Sequence, residues 1–436
     1  MSAPQAGSGR GSASRASWKG ALRGNVLMMG LVSLFTDFSS EMIYPLLPVF
    51  LGGLVPIGQV GSYVGLLEGV AEATASLLKL VSGRLSDKLG KRKALVVLGY
   101  GLSTVARPVM AAAAVGWHVV ALRFADRVGK GVRTSPRDAL IGDSVGPEAR
   151  GLAFGFHRAM DHAGAILGPV VSVVILYFFL GRALWHGSAA AGPAEMSALR
   201  WLFLIALIPG LAAVAVLIGK VREIVPPPAA ASAGPAAVPD GSRPRLPRKF
   251  YAFVAVVTLF ALGNSSDLFI VLLGVRWFGL GLMEVIGLWV LLHVSKIIFS
   301  IPGGVLSDKL GRRPIIVTGW AVYALVYLGF AAAGATWQFW GLVGAYGFYY
   351  GMTEGAEKAL VADFVPSRFR GTAYGVYHSA VGLAALPASL LFGAILDLYG
   401  RGVAFGIGAA LAGLAALGLI VLLSTSGRTR DDQPPG

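Results

Sequence analysis

Twelve runs of about 20 mostly apolar residues follow one another along this 436-residue chain, and they constrain its fold more than any other feature. They cover 24–52, 60–82, 94–115, 117–143, 151–180, 199–219, 250–275, 282–303, 314–335, 337–362, 372–396 and 402–424. A run of that length crosses the hydrocarbon core as a helix, because there every backbone N–H and C=O must be paired within its own segment. Charge is scarce in the way such a solvent demands. It is 14% of the residues, against about 25% in a soluble domain. The 60 glycines suit closely packed membrane helices. With no cysteine there is no disulfide framework and no thiolate metal site.

The formal net charge is +15. In a soluble protein that would suggest a nucleic-acid partner. Here the basic residues gather in one alternating set of loops and tails, among them Arg10, Lys19, Lys88, Lys91, Lys93, Lys220, Arg248, Lys309, Arg313, Arg368 and Arg428. The opposite set holds little beyond Arg182, Arg200, Arg276 and Arg401. By the positive-inside rule both termini are expected in the cytoplasm of a bacterial inner (plasma) membrane, with the basic charge facing anionic lipid rather than nucleic acid. The expected organisation is a disordered tail over 1–23, a six-helix bundle over 24–220, a Pro/Ala-rich linker over 221–249, a second six-helix bundle over 250–424 and a tail over 425–436. The first run is too long for a cleaved signal peptide and is read as a retained span.

The chain also repeats itself. Residues 83–93 read Gly-Arg-Leu-Ser-Asp-Lys-Leu-Gly-Lys-Arg-Lys, and 304–314 read Gly-Val-Leu-Ser-Asp-Lys-Leu-Gly-Arg-Arg-Pro. Arg150-Gly151 recurs as Arg370-Gly371, Arg137-Asp138 to Asp143 as Glu357-Lys358 to Asp363, and Ser39-Ser40-Glu41 as Ser265-Ser266-Asp267. The offsets are 220, 221 or 226. Spans one, two, four and five therefore map onto seven, eight, ten and eleven, a parallel repeat of two six-span halves.

With those motifs the chain resembles the major facilitator superfamily over nearly its whole length. The repeated loops resemble the superfamily's signature between spans two and three and its copy between eight and nine. The resemblance implies an all-α fold, with twelve transmembrane helices in two pseudo-symmetric bundles around a central cavity, alternating access by rocking. It assigns conformational gating to Gly83, Asp87, Gly90 and Arg92, with Asp143, and to Gly304, Asp308, Gly311 and Arg312 in the copy. Asp87 and Asp308 stand where a carboxylate can cap a neighbouring helix N-terminus, and Gly90 and Gly311 permit a tight turn. Arg123 and Asp143 keep the twenty-residue spacing of a drug:proton antiporter motif, with Gly129 and Gly131 at its small positions, although Asp126-Arg127 replaces its Gln-Gly. Gly155, Gly164 and Gly168-Pro169 keep the spacing of the antiporter signature of span five, with Ser172-Val173 replacing its trailing glycines. Gly168 and Pro169 are accordingly placed with the gating residues.

Ionisable residues inside such a bundle are functional candidates, since each is costly in hydrocarbon. They fall on spans one, four, seven and ten, which line the cavity in this superfamily, and on five and eight beside them; spans three, six, nine and twelve carry almost none. Proton coupling is assigned to Asp37, Glu41 and Asp161, with His157 and His162 titrating near neutral pH. Substrate binding is assigned to Arg123, Asp126, Arg127, Lys130, Arg133 and Arg158, and to Asp267, Glu354, Glu357 and Tyr377. Arginines read carboxylate or phosphate, so an anionic or zwitterionic solute is favoured. No phosphate-binding loop supports ATP-driven pumping, the His157, Asp161, His162 spacing is not a metal-ligand pattern, and no cofactor or enzymatic activity is expected. The expected function is a monomeric, proton-coupled antiporter exporting a small organic solute. The alternatives are a proton symporter or facilitator importing an anionic nutrient or metal chelate, and a transporter-like sensor without flux.

Overall fold

The computed structural model describes residues 22–56, 59–181, 192–224, 246–280 and 282–424. The expected N-terminal tail, linker and C-terminal tail lie almost wholly outside the described residues. Among those described, the regular structure is entirely helical. The first span is Asn25–Glu41, a short turn Tyr44–Leu46 and Leu47–Gly52. The second is Val60–Leu89, the third Arg92–Val109, the fourth Gly116–Asp143 and the fifth Arg150–Leu180. The sixth is Pro193–Ile205 with Leu207–Lys220, and the seventh Arg248–Gly263 with Leu268–Phe278. The eighth is Leu282–Leu310, the ninth Arg312–Ala332 and the tenth Thr336–Phe364. The last two form one run, Arg370–Ser424, broken at Gly400, where φ is 81°. Among the described residues, eight helices are long and apolar enough on their own to cross a membrane, the last of them long enough to do so twice. The fourth and tenth are not in that set, because polar side chains interrupt them.

Two features depart from the expected spans. The second and eighth helices run on to Leu89 and Leu310, so Gly83, Asp87, Gly304 and Asp308 lie on helices and not in loops. The turn is made by Gly90 and Gly311 at φ 60° and 95°, a region glycine enters without steric cost. Spans one and seven are interrupted next to the matched segment: in span one the break begins just after Ser39-Ser40-Glu41, and in span seven it takes in Ser265-Ser266-Asp267. In span one, Pro45 and Pro48 follow and cannot donate to the helix ladder. In span seven, the Tyr323 hydroxyl donates to the carbonyl of Gly263 at 2.9 Å, an acceptor that an unbroken helix would use itself.

The halves meet through spans two and eleven and through spans five and eight, and glycine makes both approaches possible. A methyl group at Gly83 would collide with the Gly371 carbonyl, and one at Gly304 with that of Gly151. Exposed Leu98, Val105, Ile208, Leu211, Leu325, Leu328, Leu414 and Val421 give spans three, six, nine and twelve an apolar outer surface, as contact with lipid requires.

Gly83→Ala and Gly304→Ala should each destabilise the packed halves by about 1–3 kcal/mol, because the obstructing atom is backbone and cannot step aside. Gly101 of span three has open space around it. Thermal unfolding in detergent should show Gly101→Ala at or above the parent melting temperature and both interface variants below it.

Candidate functional site: a charge network between the halves

At the end of the bundle carrying the two repeated turns, here the basic face, each half grips a helix N-terminus of the other. The N–H groups of Gly371 and Thr372, at the start of span eleven, donate to Asp87 at 3.0 and 2.6 Å. Those of Gly151 and Leu152, at the start of span five, donate to Asp308 at 2.9 and 2.8 Å. A carboxylate there answers N–H groups that have no partner within their own helix and sits at the positive end of its dipole. Arginines close the ring: Arg92 lies 2.5 Å from Asp143, which also binds Arg370. In the other copy Arg312 binds Asp308 and lies 3.1 Å from Asp363, which Arg150 reaches at 2.5 Å. Arg92 and Arg312 donate on to the Ser367 and Pro147 carbonyls of the opposite half, each at 2.5 Å.

One layer deeper, Asp138 is fully buried. It is held by Arg137 of its own span at 2.8 Å, Lys358 of span ten at 2.9 Å and His378 of span eleven at 2.8 Å. Beside it, Asp161 accepts from Ser33 of span one and from Arg158 at 2.9 Å, with His157 at 3.7 Å. Arg158 and His162 face Glu354 of span ten at 3.5 and 3.4 Å. The Arg158 and Glu354 side chains keep 22% and 24% exposure, so this link between the halves is less enclosed than the Asp138 cluster. His293 of span eight packs edge-on against His162, with ring centres 5.5 Å apart.

The outer part of the N-terminal half holds the basic stripe. Asp126 accepts from the Tyr44 hydroxyl and from Arg107 at 3.1 Å, with Arg123 at 3.6 Å. The Arg123 guanidinium lies 3.6 Å from the Tyr44 ring centre, and those of Arg127 and Arg107 lie 5.7 and 5.8 Å from it. Arg133 turns away to Ser103 and stacks on Tyr100. Asp37 and Glu41 face span five across its glycines. A Cβ at Gly164 would fall 3.0 Å from that of Asp37, and one at Gly168 would fall 2.6 Å from that of Glu41. Gly155 instead faces Ser300 and Gly304 of span eight. The span-five glycine spacing thus serves two contacts, one with the acids of span one and one with the other half. Pro169 follows within the same helix.

In the C-terminal half, Asp267 ends the break in span seven, immediately before Leu268–Phe278, and turns its side chain into the bundle. It binds Lys296 at 3.1 Å and accepts from Tyr346 at 3.0 Å and Tyr350 at 3.3 Å. The Lys296 ammonium also lies 3.8 Å from the Tyr350 ring centre. Glu357 and Tyr377 do not reach this wall. Tyr377 donates to Glu357 at 2.8 Å, Trp320 donates to it at 3.0 Å, and both residues are buried within their own half. There each answers the other's polarity. Among the described residues no group of three or more His, Asp or Glu side chains is placed to hold a metal ion.

Sequence reasoning missed Arg107, His293 and His378. Arg107 lies in span three, expected to be nearly free of charge, yet it is buried against Asp126 and the Thr36 carbonyl. Its one visible sign was an arginine inside an apolar run. The two histidines are single residues without spacing, and only their partners mark them.

Comparison with known proteins agrees with this architecture. The family model described as Major Facilitator Superfamily matches residues 29–385 and 278–435. The chain is 33% identical over 374 residues to the uncharacterized MFS-type transporter MJ1317 of Methanocaldococcus jannaschii, covering 85% of this chain and 87% of that one. It is 25% identical over 372 residues to the multi-drug resistance efflux pump PmrA of Streptococcus pneumoniae, covering 80% and 82%. The crystal structure of the human organic anion transporter MFSD10 shares the fold, with a TM-score of 0.73 at 16% identity over 91% of this chain and 98% of that one. A duplicated twelve-span bundle, joined at one face by the repeated carboxylate caps and matched along its length by this family, is an integral membrane transporter: the chain belongs to the Major Facilitator Superfamily.

Proposed function

We propose that this transporter is a proton-driven antiporter that exports a small organic solute across the bacterial inner membrane, with the basic face and both termini in the cytoplasm. The observation that carries the reading is the seat of Asp37 and Glu41. Glu41 ends the first helix of span one and Asp37 lies one turn before it, and each is opposed by a glycine, Gly168 or Gly164. With no side chain between, the acids press on the backbone of span five inside the bundle, where a carboxylate requires a cation or a proton. Rocking of the halves would expose such acids to one side and then to the other, which couples proton flow to solute flow. The likeness to an efflux pump over most of both chains supports the direction of transport.

In this reading Arg158 and Glu354 are the first contacts of a dipolar solute, one from each half. The guanidinium takes a carboxylate or phosphate in bidentate fashion, and Glu354 takes the cationic end. Asp161, His157 and His162 relay charge beside them. Arg123, Asp126, Arg127 and Lys130 form one wall of the cavity and Asp267 part of the other, while Arg133, turned to Ser103 and Tyr100, stands behind that wall. Gly83, Asp87, Gly90, Arg92 and Asp143, with Gly304, Asp308, Gly311 and Arg312, are the gate, and a closed basic face corresponds to the outward-facing state.

Liposomes with an imposed pH gradient, tested against organic anions, cations and zwitterions, should show solute moving opposite to the proton. Movement with the proton would replace antiport by symport. Asp37→Asn and Glu41→Gln should abolish gradient-driven movement while leaving the melting temperature near the parent value; unchanged transport in both would remove span one from coupling. For the gate, a chain without cysteine permits a single reporter. Val305→Cys places a thiol where Val305 packs against Ala149 and Leu152 at the basic face. Asp87→Asn should raise its maleimide labelling rate about tenfold by weakening charge-assisted hydrogen bonds. An unchanged rate would remove Asp87 from closure.

A further inference from the structure

The hydrogen bonds and ion pairs at the basic face come in two copies. Asp87 on Gly371 and Thr372 is repeated by Asp308 on Gly151 and Leu152. Arg370 on Asp143 is repeated by Arg150 on Asp363, and Arg92 on Asp143 by Arg312 on Asp363. The residues exchanged between copies stand 220 or 221 positions apart, the offset of the duplication. Any contact between two different sites of a pseudo-twofold structure recurs in this way.

The Asp138–Lys358 pair cannot recur. Its two members are themselves 220 positions apart, so each is the other's counterpart. A contact between counterparts lies on the pseudo-twofold axis and is its own copy. Had the halves remained identical here, two carboxylates or two ammonium groups would meet inside the membrane, at a cost no neighbouring group could readily offset. The sequence avoids this by reversing the order of charge, with Arg137-Asp138 in span four and Glu357-Lys358 in span ten. Reversal has a second effect. Asp138 retains Arg137 at 2.8 Å within its own half, and Lys358 is adjacent in sequence to Glu357, which Trp320 and Tyr377 hold within the other. Separating the halves therefore breaks the ion pair on the axis, while Asp138 keeps Arg137 and Glu357 keeps Trp320 and Tyr377, each within its own half. His378 adds a contact to Asp138 from span eleven, standing where the first half has Arg158. Its 2.8 Å bond also crosses between the halves.

We propose that Asp138 and Lys358 form a single on-axis lock, braced by His378, whose strength sets how readily the basic face opens during transport. They are positioning residues: they bind the halves to each other and not the solute. The proposal is independent of substrate, coupling ion and direction, so it survives if export by antiport is wrong.

One lock and two copies of a gate differ in how their mutations combine. With the Val305→Cys reporter, Asp138→Asn and Lys358→Met should each raise the maleimide labelling rate about tenfold, and the double variant should exceed neither single one, because all three lose the same bond. Asp87→Asn and Asp308→Asn, which remove two separate bonds, should multiply. Lys358→Arg keeps the charge and should label at nearly the parent rate. The lock is overturned if the effects at 138 and 358 multiply, if neither single variant changes the rate, or if Lys358→Arg opens the face as far as Lys358→Met. Should Asp138→Asn fail to elute as a folded species, the comparison of Lys358→Met with Lys358→Arg decides alone.

Discussion

A charge inside the hydrocarbon layer has no water to answer it, and the arrangement of this protein follows from that constraint. Each ionised side chain must find an opposite charge, a hydrogen-bond donor or an aromatic face within the bundle. Asp126 gathers Tyr44, Arg107 and Arg123; Asp161 gathers Ser33, Arg158 and His157; Asp138 gathers Arg137, Lys358 and His378. Pairs of this kind add little to net stability, because desolvation consumes most of the Coulombic gain. What they do is fix geometry. Removing one partner strands the other, so the network tolerates only arrangements in which all members are satisfied at once.

That requirement is compatible with motion only because the network is divided. Asp126 and its partners lie within the first half, and Asp267, Lys296, Tyr346 and Tyr350 lie within the second, so a rocking movement carries each group intact. The bonds that cross between halves are fewer and are concentrated toward the basic face and along the axis below it. Glycines at Gly83, Gly151, Gly304 and Gly371 let the helices there approach backbone to backbone, which brings the Asp87 and Asp308 carboxylates within reach of N–H groups on the opposite half. Close packing and ionic closure are thus one design: a single methyl group at these positions would hold the carboxylates away from the helix ends they cap.

The breaks in spans one and seven belong to the same economy. An interruption near the middle of a membrane helix exposes backbone groups that lipid cannot satisfy, and is tolerated only where protein surrounds it. Here the break in span seven is covered by Tyr323 and Tyr346, and that in span one by the face of span five, where the Ser172 hydroxyl donates to the Met42 carbonyl. Each break also sets an acid, Glu41 or Asp267, at the end of a helical segment. The two halves have kept this construction while its chemistry diverged, with guanidinium groups around Tyr44 in one and tyrosine hydroxyls around Asp267 in the other.

The apolar runs, the scarcity of charge and the two copies of Gly-x-Leu-Ser-Asp-Lys-Leu-Gly were enough by themselves to determine a duplicated, twelve-span membrane protein, because length, polarity and repetition are properties of the linear chain. The spacing of Asp87 and Asp308 from their turns also announced an acid suited to a helix end, though not which helix, since the capped residues lie 284 and 157 positions away. Direction within the bundle was not legible. Glu357 and Tyr377 read as cavity residues by type, and folding turned them toward each other; Arg107 was passed over in a span expected to carry almost no charge, and folding turned it inward to Asp126. The pairing of Asp138 with Lys358 shows the limit most clearly. Both residues and their offset are plain in the sequence, but only the tertiary structure sets the two halves about an axis on which counterparts must touch.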